Sequence, residues 1–149
     1  AAIAPISGSL HWDQLVVPET PIPVFAVTGT QDTYVPGNGT TAGLTSDGTW
    51  WYYSMDKLAE LWGPTQGCDG LSSQYNTMYD GVDDLWCKTT CSNIDHVLCS
   101  WTGSHNYFGG PKMKYIYDCT PENLEETYYM NGFLVWEFFL KHSKADQIQ

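Results

Sequence analysis

Apolar positions fall into three short unbroken runs and two helical stripes. Residues 1–6 (AAIAPI), 24–28 (VFAVT) and 96–101 (HVLCSW) are apolar with little alternation. Runs of this length fit strands buried on both faces. Ser7-Gly8-Ser9 ends the first run, and a Pro-rich connector at 18–23 precedes the second. Met55, Leu58, Ala59 and Trp62 recur at helical spacing, and Gly63-Pro64 predicts the stop of that helix. Thr120-Pro121-Glu122 predicts the start of another, with Thr as N-cap, Pro at the first position and an acid in the first turn. Its predicted buried face is Tyr128, Val135, Trp136, Phe139 and Leu140, widened by Phe133 and Phe138. Lys141, His142 and Lys144 suit its negative C-terminal end.

Between these elements, residues 36–49 are Gly- and Thr-rich and read as an exposed loop. Residues 64–95 hold Gly, Asp and Cys with weak periodicity and read as irregular, pinned by disulfides. No internal repeat or linker is visible. The order strand, strand, helix, strand, helix predicts an α/β fold with a parallel sheet. So apolar a final helix needs a large surface to pack on, and a sheet is the natural one.

Composition narrows the function. At 149 residues the chain fits one domain or part of a larger one. It starts at Ala1 directly in the first apolar run, which leads us to expect that it is part of a longer unit. The formal charge is −11, with six Lys plus Arg, so no basic patch for nucleic acid can be assembled and anionic membranes are disfavoured. No apolar run approaches membrane-spanning length. Seven Trp and ten Tyr suit a deep core or a cleft for flat or sugar-like ligands. Five cysteines stand at 68, 87, 91, 99 and 119. Cys87 and Cys91 raise zinc, but no second tight pair accompanies them, so disulfides in an oxidising compartment are the better reading. The odd count leaves at least one cysteine free or paired outside the chain. Asn38-Gly39-Thr40 is a glycosylation sequon, in keeping with a secreted protein.

The chemistry-bearing residues are Asp32 and His105. Each follows a predicted strand, and ligands of open α/β sheets meet the loops at strand C-termini. Neighbouring parallel strands would join the two across 73 positions of sequence. A carboxylate on one imidazole nitrogen fixes the tautomer and leaves the other as a base near neutral pH. The bland alternatives are a turn Asp and a hydrogen-bonded loop His. Asp83-Asp84 reads as a solvated turn, too short for a calcium loop. His11 and His96 read as structural. Trp12 and Tyr107 are candidates to line a substrate cleft. No metal or cofactor is called for.

These residues carry a resemblance. The segment 23–36 (PVFAVTGTQDTYVP) is similar to the strand, Gly-Thr-x-Asp and Val-Pro signature of the secreted esterases of the polyhydroxybutyrate-depolymerase and feruloyl-esterase group, within the α/β-hydrolases. Residues 1–8 (AAIAPISG) resemble the segment those enzymes carry shortly after the nucleophile elbow, 62–68 their helix end and Asn-Gly-Cys, and 135–142 their last helix. Residues 102–109 (TGSHNYFG) resemble the Gly-Gly-His-x-Trp-Pro-Gly loop, with Ser104 for a Gly and Tyr107-Phe108 for Trp-Pro. Residues 69–95 match nothing in the family.

The resemblance implies the C-terminal part of one α/β-hydrolase catalytic domain over 1–149, with Asp32 as catalytic acid, His105 as catalytic base and a Cys68–Cys91 disulfide. No Gly-x-Ser-x-Gly is present, so the nucleophile is expected on an upstream segment, the N-terminal half of the same hydrolase. The implied substrates are acyl or feruloyl esters on polysaccharide, or a short-chain polyester. The competing class is a non-catalytic extracellular module that holds glycans or a partner.

Overall fold

The computed structural model describes residues 1–12, 14, 16–40, 50–68, 85–91, 94–105 and 132–143. Their centre is a mixed sheet of three strands: β1 (Val24–Gly29), β2 (Leu85–Thr89) and β3 (His96–Trp101). The order is β1-β3-β2, with β1 parallel to β3 and β2 antiparallel to it.

The first apolar run lies along the free edge of β1, parallel to it. Ile3 and Ser7 donate to the carbonyls of Pro23 and Val27, and Phe25 and Val27 donate back to those of Ile3 and Pro5. The expected continuous strand is instead two isolated bridges, Ile3 with Val24 and Ile6 with Val27. The reason is Pro5. By alternation its nitrogen faces β1, and it has no proton to give.

β1 is buried throughout because each face is covered. Phe25 and Val27 join Val97, Cys99 and Trp101 on one face, against Leu134 and Phe138. Val24, Ala26 and Leu98 join Ala59 on the other, with Met55 and Trp62 beside them. Alternate side chains of one strand thus feed two cores.

Helix α1 (Met55–Gln66) starts where Ser54 Oγ accepts from the Lys57 N–H. It runs through the expected stop at Gly63-Pro64. Gly67 ends it, at φ 70°, a left-handed position suited to glycine. Pro64 is itself exposed in the last turn, where its missing N–H forfeits only one hydrogen bond.

Residues 85–89, expected to be irregular, form β2, so the sheet is mixed rather than parallel. Leu85 and Cys87 are buried in the core against Leu134 and Phe138. Lys88, also buried, reaches Asp56 of α1 at 2.5 Å. This short strand carries a Lys and a Thr among its five positions, which hid it from a purely apolar search.

Residues 132–141 are helical. Their buried face is Leu134 and Phe138, while Phe133, Trp136 and Leu140 are exposed. The expected face was therefore partly wrong, because apolar side chains surround this helix and only packing selects among them. Tyr128 and the start at 120–122 lie outside the described residues. Lys141 and His142 both pair with Asp95, at the entry to β3. Two disulfides fasten the sheet. Cys87–Cys99 joins directly opposed positions of β2 and β3, and Cys68–Cys91 ties the end of α1 to the chain after β2.

Candidate functional site

The parallel pairing of β1 and β3 sets Gly29 opposite Trp101, so both chains leave the sheet at the same level. Thr30 donates to the carbonyl of Trp101 and Gln31 to that of Gly103, which carries the alignment past the strand ends. The two loops are nearly in contact. A Cβ on Gly29 would lie 2.3 Å from the Gly103 carbonyl oxygen and 2.5 Å from that of Ser104. Only glycine permits this approach. Gly103 is equally constrained, with its own Cβ position 2.0 Å from the Trp101 ring.

Asp32 and His105 meet here. The Asp32 side chain is fully buried, and its Oδ1 accepts the N–H groups of Tyr34 at 2.9 Å and Val35 at 2.8 Å. This Asx-type turn locks the carboxylate. Oδ2 lies 2.9 Å from His105 Nδ1. An ionised carboxylate only accepts, so Nδ1 carries the proton and donates. The neutral ring then holds its lone pair on Nε2. The His105 side chain is 41% exposed, and the Tyr34 ring lies edge-on to it at 5.7 Å. A buried carboxylate thus aims a half-exposed imidazole, the arrangement of a general base.

The other expected site residues scatter. Cys68 and Cys91 are bonded, with Cα atoms 4.5 Å apart. Asn38 is exposed, while the Thr40 of its sequon is buried and its hydroxyl accepts from Tyr52 N–H at 3.0 Å. The expected exposed loop 36–49 is therefore tied down at its start. Trp12 stands in a cluster of aromatic rings from 11–12 and 50–53. Tyr107 and Asp83-Asp84 lie outside the described residues. A cavity of about 550 Å³ lies between the sheet, α1 and the N-terminal segment, with Leu58, Trp62, His96 and Leu98 among its walls. Asp32 and His105 do not line it. A cleft of about 60 Å³ adjoins Asp32 instead.

His96 is a core histidine, as expected. Thr90 Oγ1 pairs with its Nδ1, and burial lowers its pKa to about 4. The supporting roles of Tyr34 and Val35 were not anticipated. The signal was present in Asp-x-x-Val-Pro, an acid three residues before an extended pre-proline position. Trp50 and Trp51 were also missed, in a short segment between the predicted loop and helix. Compared with known protein families, curated proteins and solved structures, the chain matches none.

Proposed function

We propose that the chain supplies the acid and base of a secreted serine-type carboxylic ester hydrolase of α/β-hydrolase architecture. The observation that carries this reading is the 2.9 Å contact of buried Asp32 with half-exposed His105 beyond two neighbouring parallel strands. The extended N-terminal segment, β1 and β3 run parallel in that order, with α1 between β1 and β3 in sequence, which supports the architecture. The two disulfides support an oxidising compartment. Among the described residues no helix is long and apolar enough to cross a membrane.

In this mechanism a serine on an upstream segment attacks the ester carbonyl. Nε2 of His105 takes its proton and then delivers it to the leaving alcohol. Water hydrolyses the acyl-enzyme by the same route. Asp32 holds the ring in the productive tautomer and stabilises the imidazolium. The upstream segment also supplies the oxyanion donors and completes the substrate pocket. The esters are acyl or feruloyl groups on polysaccharide, or a short-chain polyester.

The test is labelling of the native protein with a serine-directed fluorophosphonate, followed by peptide mapping and assay on methyl ferulate and p-nitrophenyl butyrate. One labelled serine outside residues 1–149, with turnover that Asp32→Asn abolishes, is the expected result. Label on Ser7 or Ser9 would overturn the upstream nucleophile. Ester turnover that survives Asp32→Asn and His105→Ala would overturn the triad.

A further inference from the structure

Residues 10–12 and 50–53 form an antiparallel ribbon. Trp12 N–H donates to the Trp51 carbonyl at 3.1 Å and Tyr53 N–H to that of Leu10 at 3.0 Å, with a bridge between His11 and Tyr52. Extended backbone sends alternate side chains to opposite faces. His11 therefore meets Trp50 and Tyr52, with centroids 4.7 Å away in each case. Trp12 meets Trp51 at 5.2 Å and Tyr53 at 5.8 Å on the other face. In the second set Tyr53 is nearly parallel to Trp12 at 19°, while Trp51 stands edge-on to Trp12 at 82°.

Trp12 and Tyr53 are held by hydrogen bonds, and the two indoles are open. Trp12 Nε1 donates to the Tyr52 carbonyl at 3.0 Å, and Tyr53 OH donates to the Trp12 carbonyl at 3.1 Å. Ser9 Oγ donates to the Tyr53 carbonyl at 2.7 Å. Still, Trp12 is 48% exposed and Trp51 44%. So much exposed indole runs against its hydrophobicity, and rings fixed in advance lose little entropy when a ligand arrives.

We propose that the Trp12–Trp51–Tyr53 face binds an uncharged polysaccharide. A pyranose presents an apolar C–H face and a polar rim. It therefore matches a flat ring whose edges carry hydroxyl and carbonyl groups. The two exposed indoles meet edge to face, with centroids 5.2 Å apart and planes at 82°, so they offer a corner for one sugar residue rather than a flat strip for successive ones. Charge selects the ligand class. Residues 10–12 and 50–53 carry no Lys, Arg, Asp or Glu, and the chain has a formal charge of −11. Polyanions and anionic lipid are repelled, and a neutral glycan is not. This inference stands on the ribbon alone and is independent of the Asp32–His105 reading.

The experiment is affinity electrophoresis of the native protein in gels containing arabinoxylan, hydroxyethylcellulose or polygalacturonate, with co-sedimentation on phosphatidylcholine vesicles alongside. Retardation by a neutral polysaccharide, none by polygalacturonate and no vesicle binding are expected. Trp51→Ala should weaken binding by about tenfold or more, since Trp anchors carry much of such affinities. Among the described residues the Trp51 side chain makes only ring contacts, so this variant keeps the ribbon's backbone hydrogen bonds. Trp12→Phe should weaken binding less than Trp12→Ala. Trp50→Ala, on the opposite face, should bind as the parent does. No retardation by either neutral polysaccharide, unaltered binding by Trp51→Ala, or binding to vesicles in place of glycan would each overturn the proposal.

Discussion

The described residues hold two aspartate–histidine pairs, at opposite ends of the same parallel strands. Asp32 follows β1 and meets His105 at 2.9 Å. Asp95 precedes β3 and meets His142 at 3.1 Å. The chemical groups are the same, but their settings differ. Asp32 is sealed from solvent and is held by two backbone N–H groups, so one of its oxygens is left to orient an exposed imidazole through Nδ1. Asp95 is 32% exposed and is shared with Lys141, while His142 is 17% exposed and packs against the Phe138 ring. Burial alone would raise the Asp95 carboxyl, but the Lys141 ammonium and then His142 hold it below the usual 3.8. In the proposed function the first pair positions a base. The second straps a helix to a sheet. The two pairs thus differ in whether the acid is locked and the ring is free.

The sharpest way to break this comparison is to remove each histidine in turn. His105→Ala should lower kcat for ester hydrolysis by about 10⁴-fold, the scale of a disabled triad, and leave the melting temperature nearly unchanged. His142→Ala should do the reverse, lowering the melting temperature and sparing kcat. Equal kinetic losses from both would erase the distinction between the pairs.

His96 sharpens it from another side, as a buried imidazole whose Nδ1 pairs with a threonine hydroxyl rather than a carboxylate. Its folded pKa of about 4 lies below the ordinary 6.5. The unfolded chain thus takes up the proton first as pH falls. Stability is complete above about pH 6.5 and declines down to about pH 4, by about 3 kcal/mol at 1.36 kcal/mol per pH unit. Urea unfolding across this range should show the slope, and His96→Gln should flatten it. Asp95 acts lower. Its depressed pKa contributes stability above its unfolded value near 3.8, which is lost as pH falls through the folded value.

Gly29→Ala attacks the joint between the two loops at the Asp32 end. The new methyl meets backbone oxygens, so the loops must part. A loss of about 1–3 kcal/mol in urea unfolding is expected, and kcat should fall by about 10²-fold through misplacement of His105. The His105 Nδ1 proton signal in NMR should shift or vanish. Asp95→Asn is the mildest change. It should cost about 1 kcal/mol or less, and less still in 1 M salt, because the strap is partly solvated.

Much of the candidate site was legible because its signals are local. Gly-Thr-Gln-Asp after one apolar run and a histidine after another place both groups at strand ends, and parallel pairing does the rest. Other features were illegible for physical reasons. Trp136 and Leu134 are both apolar on one helix, and nothing in the local pattern says which is buried. β2 is short and carries Lys88, whose burial depends on Asp56 from a distant helix. Trp50 and Trp51 read as two more apolar residues until the partner at 10–12 is known.

What the sequence determined by itself are the properties set within a few residues of chain: the strand character of 24–28 and 96–101, the helical stripe beginning at Met55, the acidic surface and the chemistry available at Asp32 and His105. What only the tertiary structure decided are the pairings. It chose the Cys87–Cys99 disulfide, the pairing of Asp95 with His142, and which aromatics stand in solvent. Propensity and hydrophobicity are properties of neighbours along the chain, whereas a contact depends on the shapes of two surfaces brought together by the whole fold.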